Sequence, residues 1–183
     1  MLSTPDRSCL LLLDVRKGHT DALTADVRDS LEQRLLCLDK ATRLLRIPFF
    51  LGYPASVFDN DAGGRTGEHI FKWADGASPW SDGRLAEAIA RENRTRLFLG
   101  GFWLEDSVTF AALGALADGH DVYVMFDVAL ARRAETREAA IERMVQAGVV
   151  PITAVQVVSE WAAMIEDADI RTILREIISK DLS

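Results

Sequence analysis

Three side chains of different chemistry fall where apolar runs give way to polar sequence: Asp14 at the end of "CLLLLD", Lys72 within "HIFKW", and Ser107 in "LFLGGFWLEDSV". A carboxylate can hold or move a proton, and an ammonium can steady a neighbouring charged pair. A hydroxyl in the first turn of a helix sits among unpaired backbone N–H groups at the positive end of the helix dipole, where proteins place nucleophiles and bind anions. Each residue also has an ordinary reading. An Asp after a strand is a common turn former, a Lys near a strand end is usually solvated, and a Ser at a helix start is usually a cap. Their convergence is the informative feature, because three chemistries meet at one end of one sheet.

The elements that must bring them together follow from hydrophobic periodicity. Cys9 to Leu13 is a continuous apolar strand, and Val27, Leu31, Leu35, Leu38 and Leu45 mark one face of a long helix after the cap Thr24. "PFFLGYP" and "HIFKW" give the second and third strands, Leu85, Ala88 and Ile89 a short helix, and Arg96 to Leu99 a fourth strand. Two glycines then make a tight turn. The helix after Ser107, with Val108, Ala111, Ala112, Ala115 and Leu116 on one stripe, runs to Gly119. "DVYVMFDV" is the fifth strand, a helix striped by Ile141, Met144 and Val145 closes at Gly148, and "VVPIT" is the sixth strand. Thr153 and Gln156 have capping-box spacing for a further helix, and Ile170, Ile173, Leu174, Ile177 and Ile178 make a last amphipathic one. Near-continuous apolar strands alternating with helices imply an α/β, three-layer, Rossmann-like doubly wound fold, with a mostly parallel six-stranded sheet covered on both faces. In such a sheet ligands bind beyond the carboxyl ends of the strands, where the three polar residues lie.

Composition narrows the function classes. The 183 residues suit one domain spanning 1–183, and 49% hydrophobic with 27% charged residues is ordinary for a soluble globular chain. With 28 acidic against 21 basic residues, a net charge of −7 and no Lys/Arg-rich tract, neither nucleic acid nor an anionic membrane is an expected partner. The run "CLLLL" is too short for a signal peptide or a spanning helix, so the expected location is the cytoplasm. Cys9 and Cys37 suit reduced packing residues better than a disulfide. The polar, glycine-rich loop Asp59 to His69 could serve as a lid or an oligomer contact.

Nearly the whole chain resembles the isochorismatase-like superfamily of cysteine hydrolases. "LLLLDVRKG" is similar to the first-strand motif that ends in the family's catalytic Asp, and "FKWADGASPWSDGRL" to the segment carrying its catalytic Lys or Arg. "LFLGGFWLEDSVTFAALGALADGHDVYVMFDV" resembles the Gly-x-x-Thr-Asp/Glu-x-Cys-Val elbow with its following helix and strand, and "AAIERMVQAGVVPITAVQVVSEW" the closing segment of one hydrolase branch. The resemblance implies a nucleophile at 107, Asp14 as the group that takes its proton, and Lys72 as support for the charged pair. It also implies a cis peptide at Phe102–Trp103 that orients an oxyanion hole made by the N–H groups of Trp103 and residue 107. Arg16 and Trp80 fall in segments that would line the substrate pocket. Small amides or esters are the implied substrates.

Two positions depart from the family's pattern: residue 107 is Ser where the motif has Cys, and Leu104 stands where it usually has Thr. A thiol ionises readily beside a cation, whereas a hydroxyl needs a strong, well-placed base. Serine hydrolases usually recruit a His; the candidates are His19, His69 and His120, and only His19 follows the first strand. Nicotinamidases of the superfamily hold zinc through an Asp and two His residues after the second strand. Here "YPASVFDNDAGG" has no His, and Asp59 with Asp61 is a weak site for a transition metal, so neither metal nor cofactor is expected. Isochorismatases proper hydrolyse a vinyl ether without the Cys, their Asp acting as acid, but Arg16 replaces the Gln often found there. Three readings stay open: a hydrolase with Ser107 as a weak nucleophile, a non-catalytic small-molecule-binding or scaffold protein, and an Asp14-dependent vinyl-ether hydrolase. The aliphatic stripe of the last helix and the Asp59–His69 loop predict a homo-oligomer, a dimer or higher, unless the stripe packs on the chain's own sheet.

Overall fold

The computed structural model describes residues 2–57, 69–81 and 83–181, and each apolar run read as a strand is one. The strands are β1 (Ser8–Leu13), β2 (Phe49–Pro54), β3 (Ile70–Trp73), β4 (Arg96–Phe102), β5 (Asp121–Leu130) and β6 (Val150–Ile152). They form one sheet in the order β3-β2-β1-β4-β5-β6, and every neighbouring pair is parallel. The chain winds outward from β1 to β3, then returns to lay β4 on the other side of β1. The strand order therefore reverses between β1 and β4, which opens a crevice beyond their carboxyl ends. Asp14 follows β1 and Trp103 follows β4, so the topology delivers both to that crevice.

The helices are α1 (Lys17–Thr20), α2 (Ala25–Leu45), α3 (Arg84–Arg91), α4 (Thr109–Ala117), α5 (Ala134–Ala147), α6 (Ala154–Met164) and α7 (Ala168–Asp181). Successive residues of a strand face opposite ways, so the apolar run from Cys9 to Leu13 of β1 needs cover on both sides. Cys9, Leu11 and Leu13 of β1 pack with Leu85 and Ile89 of α3, Ala111 and Ala115 of α4, and Met144 of α5. Leu10 and Leu12 pack with Leu31, Cys37 and Leu38 of α2, Trp161 of α6 and Leu174 of α7. Both cysteines are buried and neither is in a disulfide, as packing residues should be.

β4 runs three residues past the expected Leu99. The two glycines are not a turn; they continue the strand through an irregularity in its pairing with β5. Their small size explains this, because a Cβ on Gly101 would lie 2.0 Å from the Leu13 carbonyl oxygen and one on Gly100 would lie 2.8 Å from Val128. The capping box forms as spaced, Gln156 N donating to Thr153 Oγ1 at 3.2 Å and Thr153 N to Gln156 Oε1 at 3.0 Å. Thr24 occupies the position before α2 but makes no side-chain cap, and Val27 is exposed.

The stripe on the last helix mostly docks at home. Leu174 is fully buried, Ile170, Ile177 and Ile178 pack on the same core as α2 and α6, and only Ile173 is left outside at 45% exposed. The stripe therefore no longer argues for an oligomer. Most of the Asp59–His69 loop, with Asp59 and Asp61, lies outside the described residues. Among the described residues, no helix is long and apolar enough to cross a membrane.

Candidate active site

The site is built where β1 ends. Asp14 adopts a left-handed backbone (φ 52°), a conformation that Asp tolerates better than most residues, while its N–H donates to the Gly52 carbonyl at 2.8 Å. The chain turns at once into the single turn α1, which carries His19 back over the carboxylate. His19 Nε2 lies 2.7 Å from Asp14 Oδ2, and Arg16 Nε lies 2.9 Å from Oδ1. The Arg16 contact is a close charge pair without hydrogen-bond alignment: Asp14 Oδ1 and Arg16 Nε are both buried and neither finds an aligned partner. Asp14 itself is only 5% exposed. A buried carboxylate is tolerated when it is paired, and here the basic groups arrive from within five residues of sequence.

The His19 ring is fixed by more than the carboxylate. It stacks on Phe102 with centroids 5.1 Å apart and meets Trp103 edge-on at 4.8 Å. The two aromatics belong to the elbow after β4, where the Phe102–Trp103 peptide is cis, as the resemblance implied. Next comes one π-helical turn, Leu104–Val108, which leads into α4; such turns are frequent at functional sites. Ser107 Oγ donates to the Phe102 carbonyl at 2.8 Å and accepts from Trp103 N–H at 3.2 Å. One hydroxyl thus bridges both polar groups of a single peptide, and the Trp103 N–H expected in an oxyanion hole is already taken. Leu104 is fully buried among the α3, α4 and α5 side chains, so its place is a core position.

The remaining expected residues divide. Lys72 lies in register with Tyr53 on the neighbouring strand and is exposed, two strands from Asp14. Its carbonyl accepts from Arg84 Nη2 at 3.3 Å. Trp80 does not line the crevice. Its indole donates to Asp118 Oδ2 at 2.7 Å and its ring lies against Gly114, beside the far end of α4 from Ser107. That is packing, and Gly114 has no side chain because the ring fills its place.

The roles of two residues escape the sequence reading. His19 is a candidate base for Ser107 in the sequence, but its pairing with Asp14 is not read there; its spacing from Asp14 through a one-turn helix is the available signal. Arg132, just past β5, sits 4.9 Å from the Trp103 ring centroid and pairs with Glu105 at 3.5 Å and Asp106 at 3.3 Å. It clamps the acidic start of the elbow to the aromatic beside the site, and nothing in its local sequence marked it.

The comparisons concern the fold and the family. No curated protein matches the chain. Among solved structures, YcaC from Pseudomonas aeruginosa, with hexane-2,5-diol and covalent acrylamide, is similar at a TM-score of 0.80 and 18% identity, covering 99% of this chain and 92% of that one. The ycaC gene product of Escherichia coli, an octameric hydrolase of unknown specificity, matches at 0.72 and 19% over 98% and 97% of the two chains. A MAR1 ribonuclease from Caenorhabditis elegans matches at 0.75 and 18% over 98% and 93%. These likenesses show the fold. The isochorismatase domain model matches residues 9–156, the stretch that runs from β1 through both halves of the crevice to the cap of α6, and on that match the chain belongs to the isochorismatase family.

Proposed function

We propose that this protein is a hydrolase of small amides or esters, acting in the crevice between β1 and β4. The observation that carries this reading is the buried Asp14, held against Arg16 and His19 beside the aromatic elbow. A carboxylate kept out of water and surrounded by basic groups supplies directed charge in a place where field strength is high, which suits proton-transfer chemistry at a carbonyl. Arg16, 22% exposed at its side chain, offers its outer nitrogens to an anionic group on the substrate. The vinyl-ether reading fits less well. It needs Asp14 as an acid, whereas contacts to basic groups on both oxygens suit a carboxylate that accepts.

One observation favours a non-catalytic binding protein instead: the Ser107 hydroxyl is committed at both ends to the elbow peptide. A panel of small aryl esters and anilides separates the two readings. Turnover by the wild type that falls at least about 10²-fold in Asp14→Ala, with unchanged circular dichroism, supports the hydrolase. A wild type that binds metabolites in a thermal-shift screen yet turns over nothing overturns it. The protein is proposed to work in the cytoplasm as a homo-oligomer, in line with the octameric Escherichia coli neighbour.

A further inference from the structure

The hydrolase reading leaves open which atom attacks, and the side chains around Asp14 answer it. Ser107 is 8% exposed, its proton is directed at the Phe102 carbonyl and its lone pair receives the Trp103 N–H. An attacking hydroxyl needs a base within hydrogen-bond reach, and among the described residues Ser107 Oγ has no such partner. His19 presents the opposite arrangement. Because a carboxylate only accepts, the 2.7 Å contact to Asp14 places a proton on Nε2, and in the neutral ring that tautomer leaves the lone pair on Nδ1. Among the described residues Nδ1 has no hydrogen-bond partner, and the side chain is 15% exposed, so water reaches the ring. The ring cannot swing away, since Phe102 stacks on its face and Trp103 closes on it edge-on.

We infer that His19, oriented by Asp14, is the general base and acid of the site and that its nucleophile is a water molecule, with Ser107 holding the elbow peptide in place. This inference rests on the hydrolase reading. In the first step a water oxygen forms a bond to the substrate carbonyl carbon while its proton passes to His19 Nδ1, and the carbonyl π pair moves onto oxygen. As the tetrahedral intermediate collapses, that pair re-forms the carbonyl and the C–N or C–O bond breaks. The bonding pair leaves with the amine or alcohol, which takes the proton from Nδ1. Water is the co-substrate, and the products are an acid and an amine or alcohol. Asp14 is then a positioning residue: it fixes the tautomer and balances the imidazolium that forms, as the buried Asp does in other Asp–His couples.

The test combines a spectroscopic and a kinetic arm. In long-range ¹H–¹⁵N spectra of the wild type, His19 should show a protonated Nε2 and an unprotonated Nδ1 at pH 8; the other tautomer overturns the inference. With the esters and anilides above, His19→Gln and His19→Ala should lose about 10²–10⁴-fold in kcat, the Ala variant recovering part of it with added imidazole. His19→Gln keeps a donor for Asp14, so it guards against loss of fold. Mass spectrometry after rapid quenching should find no acyl group on Ser107. Full activity in His19→Gln, or an acylated Ser107, overturns the water mechanism while the hydrolase reading survives. A wild type inactive on every probe refutes the hydrolase reading and this one with it.

Discussion

Gly101→Ala tests whether the crevice depends on the close approach of β4 to β1 at Leu13. At Gly101, φ is 119°, and a Cβ built there would lie 2.0 Å from the Leu13 carbonyl oxygen, 2.6 Å from its nitrogen and 2.8 Å from its carbonyl carbon. Ordinary contact needs about 3.5 Å, so β1 and β4 would have to part by about 1.5 Å, nearly a third of the roughly 4.8 Å spacing between neighbouring strands. The obstacle is backbone on both sides, which has no rotamer to escape into. A left-handed conformation costs an Ala about 1–2 kcal/mol, and overpacking typically adds about 1–3 kcal/mol, so the expected loss is about 2–5 kcal/mol. Gly119→Ala supplies the control, because Gly119 is also left-handed (φ 87°) but has nothing within 4 Å of the added atom. Urea unfolding of both variants reads the difference through the midpoint at constant m-value. If the two agree within about 0.5 kcal/mol, the close approach is not what reserves position 101 for glycine.

Two further expectations concern stability and reactivity. Burial pushes the Cys9 thiol up to about 12 from 9.0, with Glu92 adding to the rise and Arg94 opposing it. Because the folded value is the higher one, its contribution to stability is complete below pH 9 and is lost as pH rises from there toward 12; iodoacetamide at pH 8 should label Cys9 only after unfolding, and labelling of the native protein would refute its burial. Thr153→Ala removes one half of the capping box and should cost about 1 kcal/mol in urea unfolding, a modest figure because Asp127 also accepts from the Ala154 N–H at 3.0 Å.

The fold was legible because its signals are periodic. Six apolar runs and the helices between them fix the sheet and its faces, and the resemblance extended that to the elbow and its peptide. The failures have a common cause: sequence does not show what lies across the gap. Gly100 and Gly101 look like a turn until Leu13 and Val128 are seen pressing on them. Trp80 looks like a pocket aromatic until its partners prove to be Asp118 and Gly114. The stripe on α7 reads as an interface, yet α2 and α6 cover four of its five members. Asp14 was found because a polar residue ending an apolar strand stands out. Arg132 and the pairing of His19 with Asp14 were not, because their importance comes from spatial contact.

A serine at position 107 changes what the rest of the site has to do. A thiol beside a cation is partly ionised before substrate arrives, so it asks little of its carboxylate beyond accepting a proton. A hydroxyl of alcohol acidity is not, and an Asp of ordinary basicity is too weak to ionise it. In this chain the hydroxyl turns inward to the elbow peptide, and the carboxylate that would have served it contacts an imidazole instead. An imidazole is the side chain whose basicity near neutral pH matches the activation of water, and the His19 side chain is 15% exposed whereas Ser107 is buried. The capacity for proton transfer therefore sits with the Asp14–His19 pair, and replacing His19 should matter more to turnover than any change on the far side of α4, where Trp80 and Asp118 meet.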